Sequence, residues 1–248
     1  MTTLVLIPGL ISDHIVWQPV ADAMAGKMHL HQADLSRGES ITGMAKSLLD
    51  RTDGPLIAIG HSMGGRIAME MARVAPDRLR GLALANTGHH SKRLGEEIKR
   101  QSMIDLAHQG MDRLADQWLP QMLDPARVAD TGIMAELRAM VLRADAAMHE
   151  RQIRALIGRP NASAYLKNID CPVLLIVGRQ DGWSPIVQHE EIAAGVKDAE
   201  LVVIENAGHF APVERPQDVT AAVTSWLARR FGEDLAAEQA IPSRHAAV

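Results

Sequence analysis

The chain has 248 residues, of which 47% are hydrophobic and 23% charged, and its formal net charge is -4. This length and composition are typical of one globular protein with a sizeable hydrophobic core. Charges of both signs are interspersed, and no basic run is present that would follow a phosphate backbone, so we expect no nucleic-acid partner.

The first ten residues, "MTTLVLIPGL", do not resemble a targeting segment. They lack a basic n-region, and their apolar run is broken by Pro8-Gly9 well before the length of a membrane span. The single cysteine, Cys171, cannot form an internal disulfide and is expected to act as a small buried hydrophobe. We therefore expect a cytoplasmic protein without a membrane span.

Short apolar segments and amphipathic helical segments alternate along the chain. The apolar segments predict six β-strands, at 3–7, 28–35, 55–60, 79–86, 171–178 and 199–206. Apolar residues at spacings of three and four predict helices at 17–25, 41–51, 63–75, 185–195 and 216–230. This alternation predicts an α/β fold, a doubly wound and mostly parallel sheet covered on both faces. His29 and His31 alternate with apolar residues, which is typical of an edge strand.

Residues 88–165 break this alternation. They contain no strand candidate and suggest several amphipathic helices separated by Gly and Pro. The predicted division is therefore a core of residues 1–87 and 166–231, a helical insertion at 88–165 and a C-terminal tail at 232–248. The methionines of the insertion could pack its core or line a pocket.

The segment "AIGHSMGG", residues 58–65, passes directly from a predicted strand into a predicted helix. So sharp a reversal requires a positive φ at Ser62, and glycines at 60 and 64 let the strand and the helix pass closely. The pattern G-x-S-x-G is that of a nucleophile elbow, which raises the serine hydroxyl above the sheet edge at a helix N-terminus. We predict that Ser62 is catalytic; the alternative is a tight turn with a solvated serine.

A serine nucleophile needs an imidazole to take its proton and a carboxylate to orient that imidazole. His209, in "ENAGHFAPVERP", follows the last predicted strand, so its loop lies at the same end of the sheet as Ser62. Asp181, in "LLIVGRQDGWSP", follows the strand before it. These two residues are the predicted base and acid, although Asp181 could instead be a turn residue before Gly182.

Three other histidines are expected near His209. His14, His89 and His90 also follow predicted strands at that end and could belong to the pocket. Six further histidines are expected on solvated faces: His29, His31, His108, His149, His189 and His245.

Hydrolysis of a carbonyl compound also needs two donors for the oxyanion. The residue after the nucleophile, Met63, supplies one backbone N–H. The second is expected from the glycine-bearing loop after the first strand, where Leu10 follows Gly9 and Pro8 cannot donate.

Serine, acid and histidine in this chain order, with "GHSMGG", "GRQDGWSP" and "GHFAPVERP" around them, resemble the α/β-hydrolase superfamily over residues 3–231. The similarity is greatest to small capped bacterial serine hydrolases, among them enol-lactone hydrolases, carboxylesterases acting on acyl-carrier esters and carbon-carbon bond hydrolases. The resemblance implies that the six strands are family strands 3 to 8 and that 88–165 is the helical cap between strands 6 and 7. The sequence departs from the family pattern in two ways. It has Pro8-Gly9 where many relatives have His-Gly, and it lacks the first two strands of the family.

The leading hypothesis is a serine hydrolase that cleaves a carboxylic ester or lactone of a small, partly apolar molecule through an acyl-enzyme, with no metal and no organic cofactor. A carbon-carbon hydrolase acting on a ring-fission dienol, or a cofactor-free haloperoxidase, would use the same residues. A ligand receptor of the same fold with slow turnover is a further alternative. No oligomeric state is predicted. The residues that could line the pocket, with core packing as the alternative, are Trp17, Trp118, Trp183, Phe210 and His90.

Overall fold

The computed structural model describes residues 1–240, without the side chains of residues 234, 235 and 237–240. All its strands are parallel and form one six-stranded sheet in the order β2-β1-β3-β4-β5-β6. The strands are β1 (Thr3–Ile7), β2 (His29–Gln32), β3 (Leu56–His61), β4 (Leu79–Ala85), β5 (Val173–Gly178) and β6 (Ala199–Ile204). The predicted six-stranded parallel sheet is confirmed.

Ten α-helices surround the sheet in the described part of the chain. They are α1 (Gln18–Met24), α2 (Ile41–Asp50), α3 (Met63–Val74), α4 (Glu96–Gln109), α5 (Met111–Trp118), α6 (Thr131–Leu142), α7 (Ala146–Ile157), α8 (Ile186–Gly195), α9 (Ala211–Glu214) and α10 (Pro216–Ala240). Side chains of α1 and α10 pack on one face of the sheet. Side chains of α2, α3 and α8 pack on the other. The sheet is therefore doubly wound.

The burial of each strand follows its place in the sheet. Strands β1, β3 and β5 are buried along their whole length, because helices cover both of their faces. Strand β2 is the edge beside β1, and its residues are exposed or half-buried. His29 and His31 lie on it, so the edge position expected from their alternation is confirmed.

Four helices, α4 to α7, lie between β4 and β5 in the chain. Helix α4 packs against α5 and α7, and α5 packs against α6. Residues 88–165 are all described and contain only helices and loops. The division of the chain into a core and a cap stays a prediction.

The structure differs from the sequence expectations in several details. The helix predicted over 216–230 continues to Ala240, and the rest of the predicted tail, residues 241–248, lies outside the described residues, as does His245. Helix α9 is not anticipated by the sequence analysis. Cys171, expected to be buried, is half-buried instead, and burial raises the pKa of its thiol to about 11.

Two histidines expected on solvated faces are buried instead. His149, on α7, is 1% exposed, and His189, on α8, is fully buried. Helix α7 packs against α4, while the Nε2 atom of His189 accepts a hydrogen bond from the Thr87 backbone N–H. Helical periodicity alone does not show which of these faces a neighbouring element covers. Within residues 1–240, no helix is long and apolar enough to cross a membrane.

These buried imidazoles predict a steep loss of stability in mild acid. Burial lowers the pKa of His61 from 6.5 to about 3, and those of His149 and His189 to about 4. Below pH 6.5 the unfolded chain therefore binds protons that the folded chain does not bind, so the free energy of unfolding falls as the pH falls. These three imidazoles alone contribute a slope approaching about 4 kcal/mol per pH unit between pH 6 and 5.

Urea unfolding at several pH values measures this slope. The variant His149→Gln removes one of these protons, so the slope of the unfolding free energy against pH should fall by about 1.4 kcal/mol per pH unit. The control variant His14→Gln, at an exposed histidine, should have the wild-type slope. A slope that does not change in His149→Gln would contradict the assignment.

Candidate active site

Ser62 alone joins strand β3 to helix α3. Its backbone has φ 53° and ψ -112°, a conformation that non-glycine residues rarely adopt. A Cβ atom at position 60 would overlap the backbone of Gly64, and one at position 64 would overlap the carbonyl oxygen of Ile7. The spacing of the two glycines is therefore a steric requirement of the turn.

The structure brings Ser62, His209 and Asp181 together at the carboxyl end of the sheet. His209 Nε2 lies 2.8 Å from Ser62 Oγ, and His209 Nδ1 lies 2.9 Å from Asp181 Oδ2. His209 and Asp181 are 4% and 3% exposed. Because the carboxylate accepts from Nδ1–H, the Nε2 lone pair is left to accept the serine proton. The arrangement has the geometry of a nucleophile, a base and an orienting acid.

Asp181 is surrounded by hydrogen-bond donors. Its Oδ1 accepts from the backbone N–H groups of Trp183 and Ser184, both at 2.8 Å. Its Oδ2 accepts from the side chain of Asn86 at 2.9 Å, in addition to His209. Burial raises the pKa of the Asp181 carboxyl, but His209 and the other donors outweigh burial and lower the pKa to about 2. The side chain is therefore an ionised carboxylate at neutral pH.

Asn86 is a site residue that sequence reasoning missed. It follows β4 with φ 49°, a conformation that asparagine tolerates better than most residues. Its amide donates to Asp181 and, at 3.1 Å, to the carbonyl oxygen of Gly208. The side chain thereby connects the acid to the loop of His209. The available signal was its position, a polar residue at the carboxyl end of a strand beside β5.

The loop that carries His209 is held from two sides. The His209 N–H donates to the carbonyl oxygen of Met122 at 2.7 Å, which ties the loop to the segment between α5 and α6. The buried Glu214 accepts from the N–H groups of Gly208 and Asp124, both at 2.8 Å. The loop of the predicted base is therefore held by the helical segment and by helix α9.

His61 is a second residue that sequence reasoning missed, although it adjoins the serine. Its Nε2 lies 2.7 Å from the carbonyl oxygen of His209, so this nitrogen carries the proton and donates it. Burial, then the nearby His209, lower the pKa of His61 to about 3. The neutral ring thus supports the backbone of the predicted base without adding charge.

The backbone positions of Met63 and Leu10 are compatible with the predicted role as oxyanion donors. Met63 opens α3, so its N–H has no acceptor within the helix. Ile7 of β1 pairs with Gly60 of β3, so the turn before Leu10 leaves the sheet beside the serine. A Cβ atom on Gly9 would lie 3.3 Å from the Cβ atom of Ser62. The roles of Leu10 and Met63 stay predictions.

The loop after β1 is held in an unusual conformation by helix α7. Ile11 has φ 41°, an outlier for a β-branched residue. Its N–H donates to Oε1 of the fully buried Gln152 at 2.7 Å, and Nε2 of Gln152 donates to the carbonyl oxygen of Leu35 at 3.2 Å. One buried amide thus connects α7 to the loops after β1 and β2.

The predicted pocket residues differ in their surroundings. Trp118 and Phe210 are buried and meet edge to face, with ring centroids 5.9 Å apart. Trp17 is buried, and its indole N–H donates to the backbone of β1 at 3.0 Å. Trp183 is 50% exposed, and His90 Nε2 lies 3.0 Å from a glutamate of α8. Their role as pocket lining stays a prediction.

A cavity of about 350 Å³ opens beside the loop that follows β1. Ile11 and Ser12 form one side, and Met140 and Met148 of helices α6 and α7 form another. The lining is thus partly apolar, and it lies between the loop that carries the predicted oxyanion donor and the helical segment.

A family model and two known hydrolases are similar to this chain. Residues 4–223 match the family model described as Alpha/beta hydrolase family. The pimeloyl-[acyl-carrier protein] methyl ester esterase of Nitrosomonas europaea is 29% identical over 234 residues, which cover 86% of this chain and 91% of that protein. The 2-hydroxy-6-oxononadienedioate/2-hydroxy-6-oxononatrienedioate hydrolase of Paraburkholderia xenovorans is 28% identical over 79% of this chain and 70% of its own length.

Solved structures show the same fold. A thermophilic esterase from Thermogutta terrifontis superposes with a TM-score of 0.83 at 24% identity, over 92% of this chain and 90% of that one.

The elbow predicts that glycine at position 60 cannot be replaced. In Gly60→Ala the new methyl group meets the backbone of Gly64, so the free energy of unfolding should fall by about 2–3 kcal/mol. Gly232→Ala is the matched control, because nothing lies within 4 Å of its added Cβ, and it should be neutral or slightly stabilising. Urea unfolding of both variants measures the difference, and equal stability would contradict the steric argument.

Gln152 should stabilise the loop after β1. Its replacement by alanine leaves the buried Ile11 N–H and Leu35 carbonyl without their partner, which should cost about 2–4 kcal/mol of unfolding free energy. Gln101→Ala, at an exposed glutamine of α4, should change stability by less than about 0.5 kcal/mol. Amide hydrogen exchange at Ile11 gives a local readout, and unchanged protection in Gln152→Ala would refute the proposed support.

Proposed function

The chain belongs to the alpha/beta hydrolase family, and we propose that it is a serine hydrolase that cleaves a carboxylic ester or lactone through an acyl-enzyme. One observation carries the proposal: the His209 imidazole lies between Ser62 Oγ, at 2.8 Å, and Asp181 Oδ2, at 2.9 Å. The esterase relative from Nitrosomonas europaea supports the ester class.

In the first half of the proposed reaction, Ser62 Oγ attacks the carbonyl carbon of the substrate while His209 Nε2 takes the hydroxyl proton. The carbonyl electron pair moves onto oxygen and forms a tetrahedral oxyanion. When that pair returns, the bond to the leaving oxygen breaks and His209 gives it the proton. An alcohol leaves, or the ring opens if the substrate is a lactone, and the acyl group stays on Ser62.

In the second half, a water molecule attacks the acyl carbon and His209 takes its proton. The new tetrahedral species collapses, Ser62 regains the proton and the carboxylic acid leaves. Both halves use the same base, so one imidazole next to one serine is enough.

The oxyanion is stabilised by the backbone N–H groups of Leu10 and Met63. Met63 opens helix α3, and the positive end of the helix dipole points at the negative oxygen. Each donor contributes about 3 kcal/mol of transition-state stabilisation.

Asp181 keeps His209 in the tautomer that can accept a proton. Burial opposes the charge of this carboxylate, but His209 and the surrounding donors outweigh it and hold its pKa at about 2. The acid therefore stays ionised while the imidazole becomes positively charged in each half-reaction.

The substrate is proposed to be a small, partly apolar molecule that enters between the sheet and a cap formed by residues 88–165. Two contacts support this placement of the cap. Met122 accepts from the His209 backbone, and Gln152 holds the Ile11 backbone. The methionines of residues 88–165, among them Met140 and Met148 beside the loop after β1, support a partly apolar substrate.

Carbon-carbon bond hydrolysis is the second candidate, favoured by the relative from Paraburkholderia xenovorans. A ring-fission dienol would need a cation for its carboxylate. Arg159 already donates to Glu96 and to the carbonyl oxygen of His90. Arg143 is paired with Asp13. The esterase relative, which matches over a larger share of both chains than the carbon-carbon hydrolase relative, makes the ester or lactone the better-supported substrate.

The test is the hydrolysis of p-nitrophenyl esters from acetyl to dodecanoyl. Wild-type protein should turn over many times, and Ser62→Ala should lower kcat by at least about 10⁴-fold, because the attacking group is gone. Ser102→Ala, at an exposed serine of α4, should keep the wild-type rate. The chain length that gives the highest kcat/KM measures the acyl pocket.

The alternatives predict different results. Full activity in Ser62→Ala would exclude the proposed nucleophile. A single burst without turnover would favour the receptor, and loss of a dienol chromophore without ester hydrolysis would favour the carbon-carbon reaction.

A further inference from the structure

A cluster of two histidines and one glutamate, residue types that can ligate a metal ion, lies apart from the proposed catalytic residues. His89 and His90 follow β4, and Glu191 lies on α8. Both imidazoles direct Nε2 at the same carboxylate oxygen: His89 lies 3.6 Å and His90 3.0 Å from Glu191 Oε2. The three ligand atoms all lie within 4.8 Å of one another. None of them contacts Ser62, His209 or Asp181 through a hydrogen bond of the described chain.

These separations match those between the ligands of a single ion. Nitrogen and oxygen ligands lie about 2.0–2.2 Å from a tetrahedral Zn²⁺, which places neighbouring ligand atoms about 3.4 Å apart. The two measured separations from Glu191, 3.0 and 3.6 Å, lie on either side of this value. The third separation, between the ligand nitrogens of the two imidazoles, is at most 4.8 Å.

The backbone holds the two histidines in place. The His90 carbonyl oxygen accepts from Arg66 at 2.9 Å and from Arg159 at 3.0 Å. The His89 carbonyl oxygen accepts from the N–H of Ala162 at 2.9 Å. Binding an ion would therefore order the backbone little further, so the entropic cost of binding is small.

His89 is a buried polar side chain whose surroundings do not satisfy it. It is 4% exposed, and no hydrogen-bond partner within residues 1–240 meets the nitrogen that faces Glu191. Its Nε2 is 3.6 Å from Glu191, too far for a hydrogen bond. Buried imidazoles are normally hydrogen-bonded or bound to a metal.

We propose that His89, His90 and Glu191 bind one divalent transition-metal ion, of which Zn²⁺ is the expected one, with water completing the coordination. Two imidazoles and one carboxylate suit Zn²⁺, Co²⁺ or Ni²⁺, whereas Mg²⁺ and Ca²⁺ prefer oxygen ligands. The ion connects the segment between β4 and α4 to helix α8. Its role is structural, and it takes no part in the proposed hydrolysis.

The charges around the site set the expected affinity. Glu191 is the only anionic ligand, and Arg66 brings a positive charge close to the cluster, while Arg159 is paired with Glu96. We therefore expect micromolar rather than nanomolar binding.

The test uses the full chain without a histidine tag, treated with EDTA and then dialysed. Titration calorimetry with Zn²⁺ should show one equivalent bound, and Co²⁺ should give the visible absorption of a nitrogen- and oxygen-ligated ion. Glu191→Gln and His90→Ala should weaken binding by at least about tenfold, since even indirect ligand supports are worth that much. The Tm of the wild type should rise with Zn²⁺ concentration.

The matched control is His108→Ala. His108 and Glu150 form an exposed pair, 2.7 Å apart, that offers only two ligands, so this variant should bind Zn²⁺ as the wild type does. Equal Tm values in EDTA for wild type, Glu191→Gln and His108→Ala establish that the variants are folded. The proposal is overturned if 100 equivalents of Zn²⁺ give no binding, if Glu191→Gln binds like the wild type, or if His108→Ala loses the ion. Each of these outcomes leaves the ester hydrolysis test unaffected.

Discussion

The close approach of strand β3, helix α3 and the turn after β1 determines the geometry of the whole site. Side chains at positions 60 and 64 would collide with backbone, so two glycines are required where the three elements meet. This contact forces Ser62 into a positive φ and leaves it as the single residue between strand and helix. The same contact brings the loop of Gly9 against the serine. Nucleophile and predicted oxyanion donors are therefore positioned by one packing constraint.

The parallel sheet places the remaining groups. Strands β3, β4, β5 and β6 are neighbours that end at one edge, so the residues that follow them meet without long loops. Ser62, Asn86, Asp181 and His209 each follow one of these strands. Asn86 lies in the middle of the series and contacts both the acid and the His209 loop. A short polar side chain after β4 thus connects the loop that contributes the acid to the loop that contributes the base.

The sheet, its edge strand and the three residues that meet at its end could be predicted because their signals are local. An apolar run, a glycine spacing and a polar residue after a strand are all visible within about ten residues. The supporting residues could not be predicted in this way. Gln152 acts on Ile11, 141 positions away, and His61 acts on the His209 backbone, 148 positions away. The burial of His149 and His189 likewise depends on which element packs over each helix, and periodicity does not carry that information.

The helical segment between β4 and β5 makes two hydrogen bonds that bear on the site. Met122 accepts the N–H of His209, and Gln152 accepts the N–H of Ile11. The first contact bears on the predicted base, and the second on the loop that carries a predicted oxyanion donor. A displacement of this segment large enough to break both bonds would leave two buried backbone N–H groups unpaired, each costing about 1–3 kcal/mol. Opening of the segment as a rigid body is therefore energetically coupled to the geometry of the site.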